Sequence, residues 1–288
     1  MKISVVIATI GRPELVPVML GALSRQTRAP DLVVISAVME GDVQLVDTAF
    51  ETAVLFGPKG LTRQRNRALD LAESRSDVVI FFDDDFIPAD DWIEEVEAIF
   101  ASEADVACVT GSLLADGING PGISLAEAAK LLDRARGKPR VRRLRDYGAP
   151  YGCNMAYAVK FGRGVRFDDR LPLYGWQEDL DFGSLLGRHG RLVKASQLIG
   201  VHMGVKSGRV SGVRLGASQI INNIYLYRKG TMPLTRAMKF AGRNIVANFI
   251  GSIRPPAYID RRGRLKGNFL GIAQVLRGRI DPEYVEQI

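Results

Sequence analysis

The chain has 288 residues, 47% of them hydrophobic and 25% charged, and it carries no internal repeat or low-complexity tract. This excludes a disordered chain and suits one large α/β domain, or one domain with an appendage. Two cysteines and two histidines are too few for a disulfide framework or a zinc module, so Cys108 and Cys153 read as reduced, partly buried thiols in a reducing compartment.

From the N-terminus, residues 3–8 form a continuous apolar run that is too short for a secretory signal and reads as a buried strand. Gly11, Arg12 and Pro13 break it, with Pro13 suited to the first turn of a helix that runs to about residue 26. That helix sets Val16, Leu20 and Leu23 on one stripe. Strands are expected at 32–35, 52–56, 78–82 and 106–113, and helices at 61–74 and 90–101. This alternation with short links predicts a doubly wound, mostly parallel sheet with flanking helices. The rhythm blurs over 115–149, where Gly120, Pro121, Gly122 and a basic run predict a mobile segment or an excursion. Beyond it, 151–159 is strand-like, 179–188 helical, and 191–194 and 198–202 two short extended pieces. Helices are expected at 214–228, 234–253 and about 265–276. No run of about 18 uncharged apolar residues exists to span a bilayer. The protein is expected in the cytoplasm.

Two acidic clusters carry the chemistry. Five apolar residues, 78–82, lead into Asp83, Asp84 and Asp85 at the C-terminal end of the fourth strand, the edge where open α/β sheets bind ligands. Adjacent carboxylates repel one another and become favourable when a hard divalent cation sits between them and a phosphate. Side chains alternate along an extended chain, so Asp83 and Asp85 can face one way. The competing structural reading is a solvated turn with one Asp as a helix cap, which requires one carboxylate rather than three. The second cluster is Glu178, Asp179 and Asp181, close after Trp176. A carboxylate there can cap a helix, or serve as the general base that a hydroxyl nucleophile needs.

These residues resemble an inverting family 2 glycosyltransferase with a GT-A fold. The matching pieces are 4–9 with Arg12, 63–69, 82–85, 152–156, and Glu178 with Asp179, in order over about 180 residues. The resemblance implies that Thr9, Arg12 and Arg65 contact the nucleotide, with Asp83 on the nucleoside side and Asp84 beside it. It implies that Asp85 binds Mn²⁺ or Mg²⁺, with His202 as a further metal ligand; the structural alternative for His202 is a histidine closing a strand. Asp179 becomes the catalytic base and Glu178 lines the acceptor pocket; Trp176 is a further candidate for that pocket, and Asn154 is a candidate to bind sugar or diphosphate. The small Gly152 and Cys153 let backbone approach a ligand, unless this is simply a tight core strand. His189 reads as solvent-facing. One departure is Ser36, where the family usually carries an acidic residue that reads uracil. This opens the nucleotide to UDP, first, or to GDP and dTDP.

The net charge of +7 is uneven: from residue 203 onward 15 Lys/Arg face 4 Asp/Glu. The expected division is therefore a catalytic domain over 1–205 and a basic helical extension over 206–288. Phe240, Ile245, Phe249 and Ile253 recur at helical spacings among basic residues, so the extension either packs on the domain or lies on an anionic membrane surface. Lys206 and Arg209 are candidates to fold over the diphosphate. No aromatic–basic interleaving supports a nucleic-acid partner. The expected partners are a nucleotide-diphosphate sugar donor and a glycan or lipid-linked acceptor. Two rivals remain. A nucleotidyltransferase needs a Gly-rich phosphate loop after the first strand, which residues 9–13 make poorly. A non-catalytic glycan- or lipid-docking protein should lack the base or the metal ligand.

Overall fold

The computed structural model describes residues 1–207 and 211–288. The chain divides into two compact units, one of Met1–Lys59, Arg63–Arg166 and Leu185–Gly208, the other of Gly60–Thr62, Phe167–Ser184 and Arg209–Ile288. The segment 167–184 thus groups with the C-terminal helices.

The first unit is built on one sheet of nine strands among the described residues: β1 (Ile3–Ala8), β2 (Leu32–Ala37), β3 (Glu51–Phe56), β4 (Val78–Asp83), β5 (Phe86–Pro88), β6 (Val106–Asp116), β7 (Leu144–Asp146), β8 (Asn154–Ala158) and β9 (Arg191–His202). Their order is β3-β2-β1-β4-β8-β6-β9-β5, with β7 also paired to β9. β1, β2, β3, β4, β6 and β9 run one way, and β5, β7 and β8 run against them. The sheet is the expected mostly parallel α/β sheet. Near-continuous apolar runs place β1, β2 and β4 inside the sheet, because both faces of such strands must be covered. The stripe of Val16, Leu20 and Leu23 on α1 (Leu15–Ser24) is buried, as are Trp92, Val96 and Ile99 on α3 (Trp92–Ser102).

Several features differ from the sequence expectation, among them the short strand β5, which no pattern announced. The excursion over 115–149 contains a regular helix, α4 (Leu125–Ala135), whose Ser124 Oγ accepts the Glu127 N–H, and the short strand β7. The two extended pieces near 191–202 are one long strand whose pairing with β6 shifts register three times, so bulges broke the alternation in the sequence. The expected strand over 151–159 shortens to β8 and turns into a one-turn helix, α5 (Val159–Gly162). Helix α2 (Leu61–Arg75) follows β3 and leads to β4.

The second unit holds the start of α6 (Glu178–Leu186) and three long helices, α7 (Gly212–Lys229), α8 (Leu234–Ile253) and α9 (Arg261–Leu276). Helices α7 and α9 cross at glycines: a Cβ on Gly216 would collide with the Arg264 carbonyl, and one on Gly267 with the Val213 carbonyl. Where the helices meet, a buried amide network replaces hydrocarbon. Asn248 Nδ2 donates to Gln219 Oε1 and Asn268 Oδ1, both at 2.9 Å, and Asn268 Nδ2 donates to the Gly216 carbonyl at 2.8 Å. These pairings satisfy groups whose unpaired burial would cost about 1–3 kcal/mol each.

Replacing Gly216 by valine forces α7 and α9 apart and is expected to destabilise this unit by about 1–3 kcal/mol or more. Urea unfolding followed by circular dichroism checks this, and an unchanged midpoint would show that the crossing tolerates a side chain.

Candidate metal and donor site

The register of the sheet assembles the first acidic cluster. Ala8 of β1 pairs with Asp83 of β4, so the next residues, Thr9 and Asp84, emerge side by side. From β1 the chain continues to β2 on one side while β4 lies on the other, so these strand ends form a topological switch point. Thr9 Oγ1 donates to Asp84 Oδ2 at 2.8 Å, and Arg12 Nη2 meets Asp84 Oδ1 at 2.8 Å. Asp84 is completely buried. Burial drives its carboxyl up to about 7, with Asp85 and Asp83 pushing the same way against the pull of Arg12 and Thr9.

On the other side of the cluster, Phe86 pairs with His202 across β5 and β9, and Asp116 pairs with His202 across β6 and β9. His202 Nδ1 lies 2.9 Å from Asp116 Oδ1, and Nε2 lies 3.3 Å from Asp85 Oδ1. Tyr151 donates its hydroxyl to Asp116 Oδ2 at 3.2 Å and stands edge-on to the imidazole. Burial disfavours a charged imidazole, but Asp116 and Asp85 outweigh it and raise the His202 pKa to about 10. Burial likewise pushes Asp85 upward, yet His202, Arg12 and the Val205 N–H at 2.8 Å hold it below the ordinary carboxylate value. The turn that delivers the Val205 N–H depends on Gly204, whose φ is +66° and whose missing Cβ leaves room for the Gly117 backbone.

Asp83, Asp85 and His202 each offer a ligand atom within 4.8 Å of the others. Two carboxylates and one imidazole form a donor set suited to a divalent cation such as Mn²⁺. With Nδ1 engaged by Asp116, Nε2 is the nitrogen turned to the cluster, the carboxylate–histidine support common around metals. The residues present fit a cation. Asp116 and Tyr151 escaped the sequence reading, because a lone Asp at the end of a blurred strand carries no local signal.

Other expected residues divide among several places. Arg65 is buried, and its Nη2 donates to Asp83 Oδ1 and the Gly152 carbonyl, both at 2.9 Å, so its charge stands beside the cluster. Ser36 is fully buried, and its Oγ accepts from Arg67 Nε at 3.2 Å. The half-buried guanidinium of Arg67 thus covers the serine hydroxyl at the end of β2. Asn154 is fully buried in the sheet, with Oδ1 accepting from Thr110 at 3.0 Å. Lys206 Nζ donates to the Gly117 and Ile118 carbonyls at 2.8 and 3.0 Å. Arg209 lies outside the described residues. His189 is exposed.

The second acidic cluster belongs to the second unit. Among the described residues, Leu173 (φ 60°) and Gln177 (φ 72°) are the non-glycine residues with positive φ, and Gly175 lies between them. Such geometry costs on the order of 1–3 kcal/mol per residue and marks places where the surrounding structure imposes a conformation. The turn sets Glu178 and Asp179 in the first turn of α6, with Glu178 buried and Asp179 half-buried. Asn222 Nδ2 of α7 holds the Trp176 carbonyl at 2.9 Å. Asp181, fully buried, accepts from Lys229 Nζ at 2.7 Å and Thr231 Oγ1 at 2.6 Å, so this third carboxylate anchors the helix. The buried Trp176 Nε1 has no hydrogen-bond partner among the described residues.

Several solved structures share this fold. S. aureus TarS residues 1–349, solved in complex with UDP-GlcNAc, aligns with a TM-score of 0.59 at 14% identity, covering 100% of this chain and 83% of that one. The mannosyltransferase PcManGT from Pyrobaculum calidifontis, solved with GDP-Man and Mn²⁺, gives 0.56 at 15% identity, covering 99% and 84%. GalNAc-T7, solved with UDP, GalNAc and Mn²⁺, gives 0.53 at 14% identity and covers 84% of this chain, which spans 54% of that one. No curated protein sequence matches the chain significantly. Residues 4–156, more than half of the chain, match Glycosyl transferase family 2 and include the first acidic cluster but neither Asp179 nor His202. With the nine-stranded α/β sheet and its acidic switch point, this match makes the chain a member of glycosyl transferase family 2, with a GT-A fold.

Proposed function

We propose that this family 2 glycosyltransferase moves a sugar from a nucleotide-diphosphate donor to a hydroxyl of a glycan or lipid-linked acceptor, with inversion, in polysaccharide or glycolipid synthesis. The observation that carries the reading is the convergence of Asp83, Asp85 and His202 at the switch point of a family 2 fold. A divalent cation held there by Asp83, Asp85 and His202 would supply Lewis-acid charge to a departing diphosphate. The imidazole ligand favours Mn²⁺ over Mg²⁺.

The remaining roles follow from position. Arg12 and Thr9 fix Asp84 and shape the loop after β1 that receives the donor. Arg65 acts on the nucleoside side through Asp83. At the end of β2, the buried Ser36 hydroxyl works through Arg67, whose donors suit a base carbonyl. UDP is the favoured nucleotide, in keeping with the UDP-bound neighbours, and the GDP-Man complex of PcManGT makes GDP the second choice. Asp179 takes the acceptor proton as the new bond forms. Trp176, with its unpartnered Nε1, and Glu178 line the acceptor side. Asn154 supports the sugar pocket from the sheet, and Lys206 and Arg209 neutralise the diphosphate. Residues 1–205 supply donor binding, and 206–288 form the basic extension.

Thermal stabilisation by UDP, GDP and dTDP, each with and without Mn²⁺, tests the donor class: one should raise the melting temperature only with metal, and no response to any of them would reject the reading. Asp85→Ala should abolish the metal-dependent part, and calorimetry showing unchanged affinity for UDP with Mn²⁺ would remove Asp85 from the metal site. Asp116→Asn leaves the three ligands in place but loosens His202, so Mn²⁺ affinity should fall by about 10–100-fold; paramagnetic resonance of free Mn²⁺ measures it, and wild-type affinity would deny the supporting role. Asp179→Asn should keep donor binding and lower turnover by about 10²–10⁴-fold. Turnover near wild type would assign the base elsewhere.

A further inference from the structure

Helix α8 spans 20 residues, about 30 Å of helix. One face, with Ala237, Ala241 and Asn248, is buried in the second unit. Another face is apolar and open to solvent. Leu234, Met238, Val246, Phe249, Ile250 and Ile253 are 46%, 57%, 56%, 59%, 62% and 69% exposed. They recur at three- and four-residue steps, with Gly242 in the gap between Met238 and Val246, and so form one stripe along the whole helix. This differs from the stripe expected from sequence, since Phe240 and Ile245 are half-buried and only Phe249 and Ile253 belong to the open face. Soluble surfaces seldom leave such a stripe without a partner.

The charges beside it choose the partner. Arg236, Lys239 and Arg243 fall along one border of the stripe, and α8 has no acidic residue. From residue 234 to 279 there are ten Lys/Arg and a single acid, Asp260. The Asp260 carboxylate is occupied in accepting the Gly263 N–H at 2.7 Å at the start of α9. Exposed Phe269 and Leu276 on α9, with exposed Lys266 and Arg277 nearby in sequence, repeat the same composition. A second copy docked α8 against α8 would set these basic residues beside a helix that carries no acid. No helix among the described residues is long and apolar enough to cross a membrane.

We propose that α8 is an interfacial helix that lies flat in the headgroup region of an anionic lipid bilayer, with Leu234 to Ile253 inserted and Lys239, Arg243 and Arg254 on lipid phosphates. This rests on the exposed surface and not on the proposed transfer reaction, because neither donor nor acceptor is needed to observe it.

The test is flotation of the full-length protein with vesicles of phosphatidylcholine alone or mixed with phosphatidylglycerol. The wild type should float with the anionic vesicles, weakly with neutral ones, and less as salt rises. The triple substitution Phe249→Glu, Ile250→Glu and Ile253→Glu should lower partitioning on the order of a hundredfold. A second variant, Lys239→Glu with Arg243→Glu, should also lose anionic selectivity, and both should melt as the wild type does. Failure of the wild type to float overturns the proposal. So does a stable dimer in sedimentation equilibrium that the triple substitution dissolves, since the stripe would then join two copies.

Discussion

Two neighbouring carboxylates, Asp84 and Asp85, are buried at the end of β4, and the arrangement around the candidate site follows from having to neutralise them. Buried charges of one sign are strongly unfavourable unless cations and hydrogen-bond donors meet them. Here the loop after β1 supplies Thr9 and Arg12, while the end of β9 supplies His202 and the Val205 N–H. These partners come from strands distant in sequence, so the sheet register and the charge balance are one constraint. A shift of β9 by one residue would turn His202 to the opposite face and leave Asp85, among the described residues, with Arg12 as its cationic partner.

That constraint also explains the functional bias of the site. Asp83, Asp85 and His202 are close enough that a divalent cation can join them, and Asp116 and Tyr151 hold the imidazole in its orientation. The fold therefore holds these side chains close together, and a cation binding there would displace the proton on His202 Nε2.

Much of this was legible in the sequence because it rests on local pattern. Apolar runs gave β1 and β4, three consecutive aspartates marked the switch point, and glycine and proline breaks gave the turns. What could not be read was long-range pairing. Asp116 and Tyr151 acquire meaning only when β6, β8 and β9 come together, and no spacing rule connects positions 116, 151 and 202. Helix α4 was hidden by the glycines and basic residues around it, and β9 by its bulges. In the second unit, Asp181 looked like one of three equivalent acids; its full burial against Lys229 and Thr231 separates it from Glu178 and Asp179. Ser36 is legible as the residue at the end of the second strand, but its burial beneath Arg67 depends on α2 lying over the strand ends.

The most direct test is crystallographic: anomalous scattering at the manganese edge from crystals grown with MnCl₂ and UDP. One strong peak is expected within coordination distance of Asp85, Asp83 and His202. A bound nucleotide with the manganese elsewhere, or with no manganese at this cluster, would contradict it.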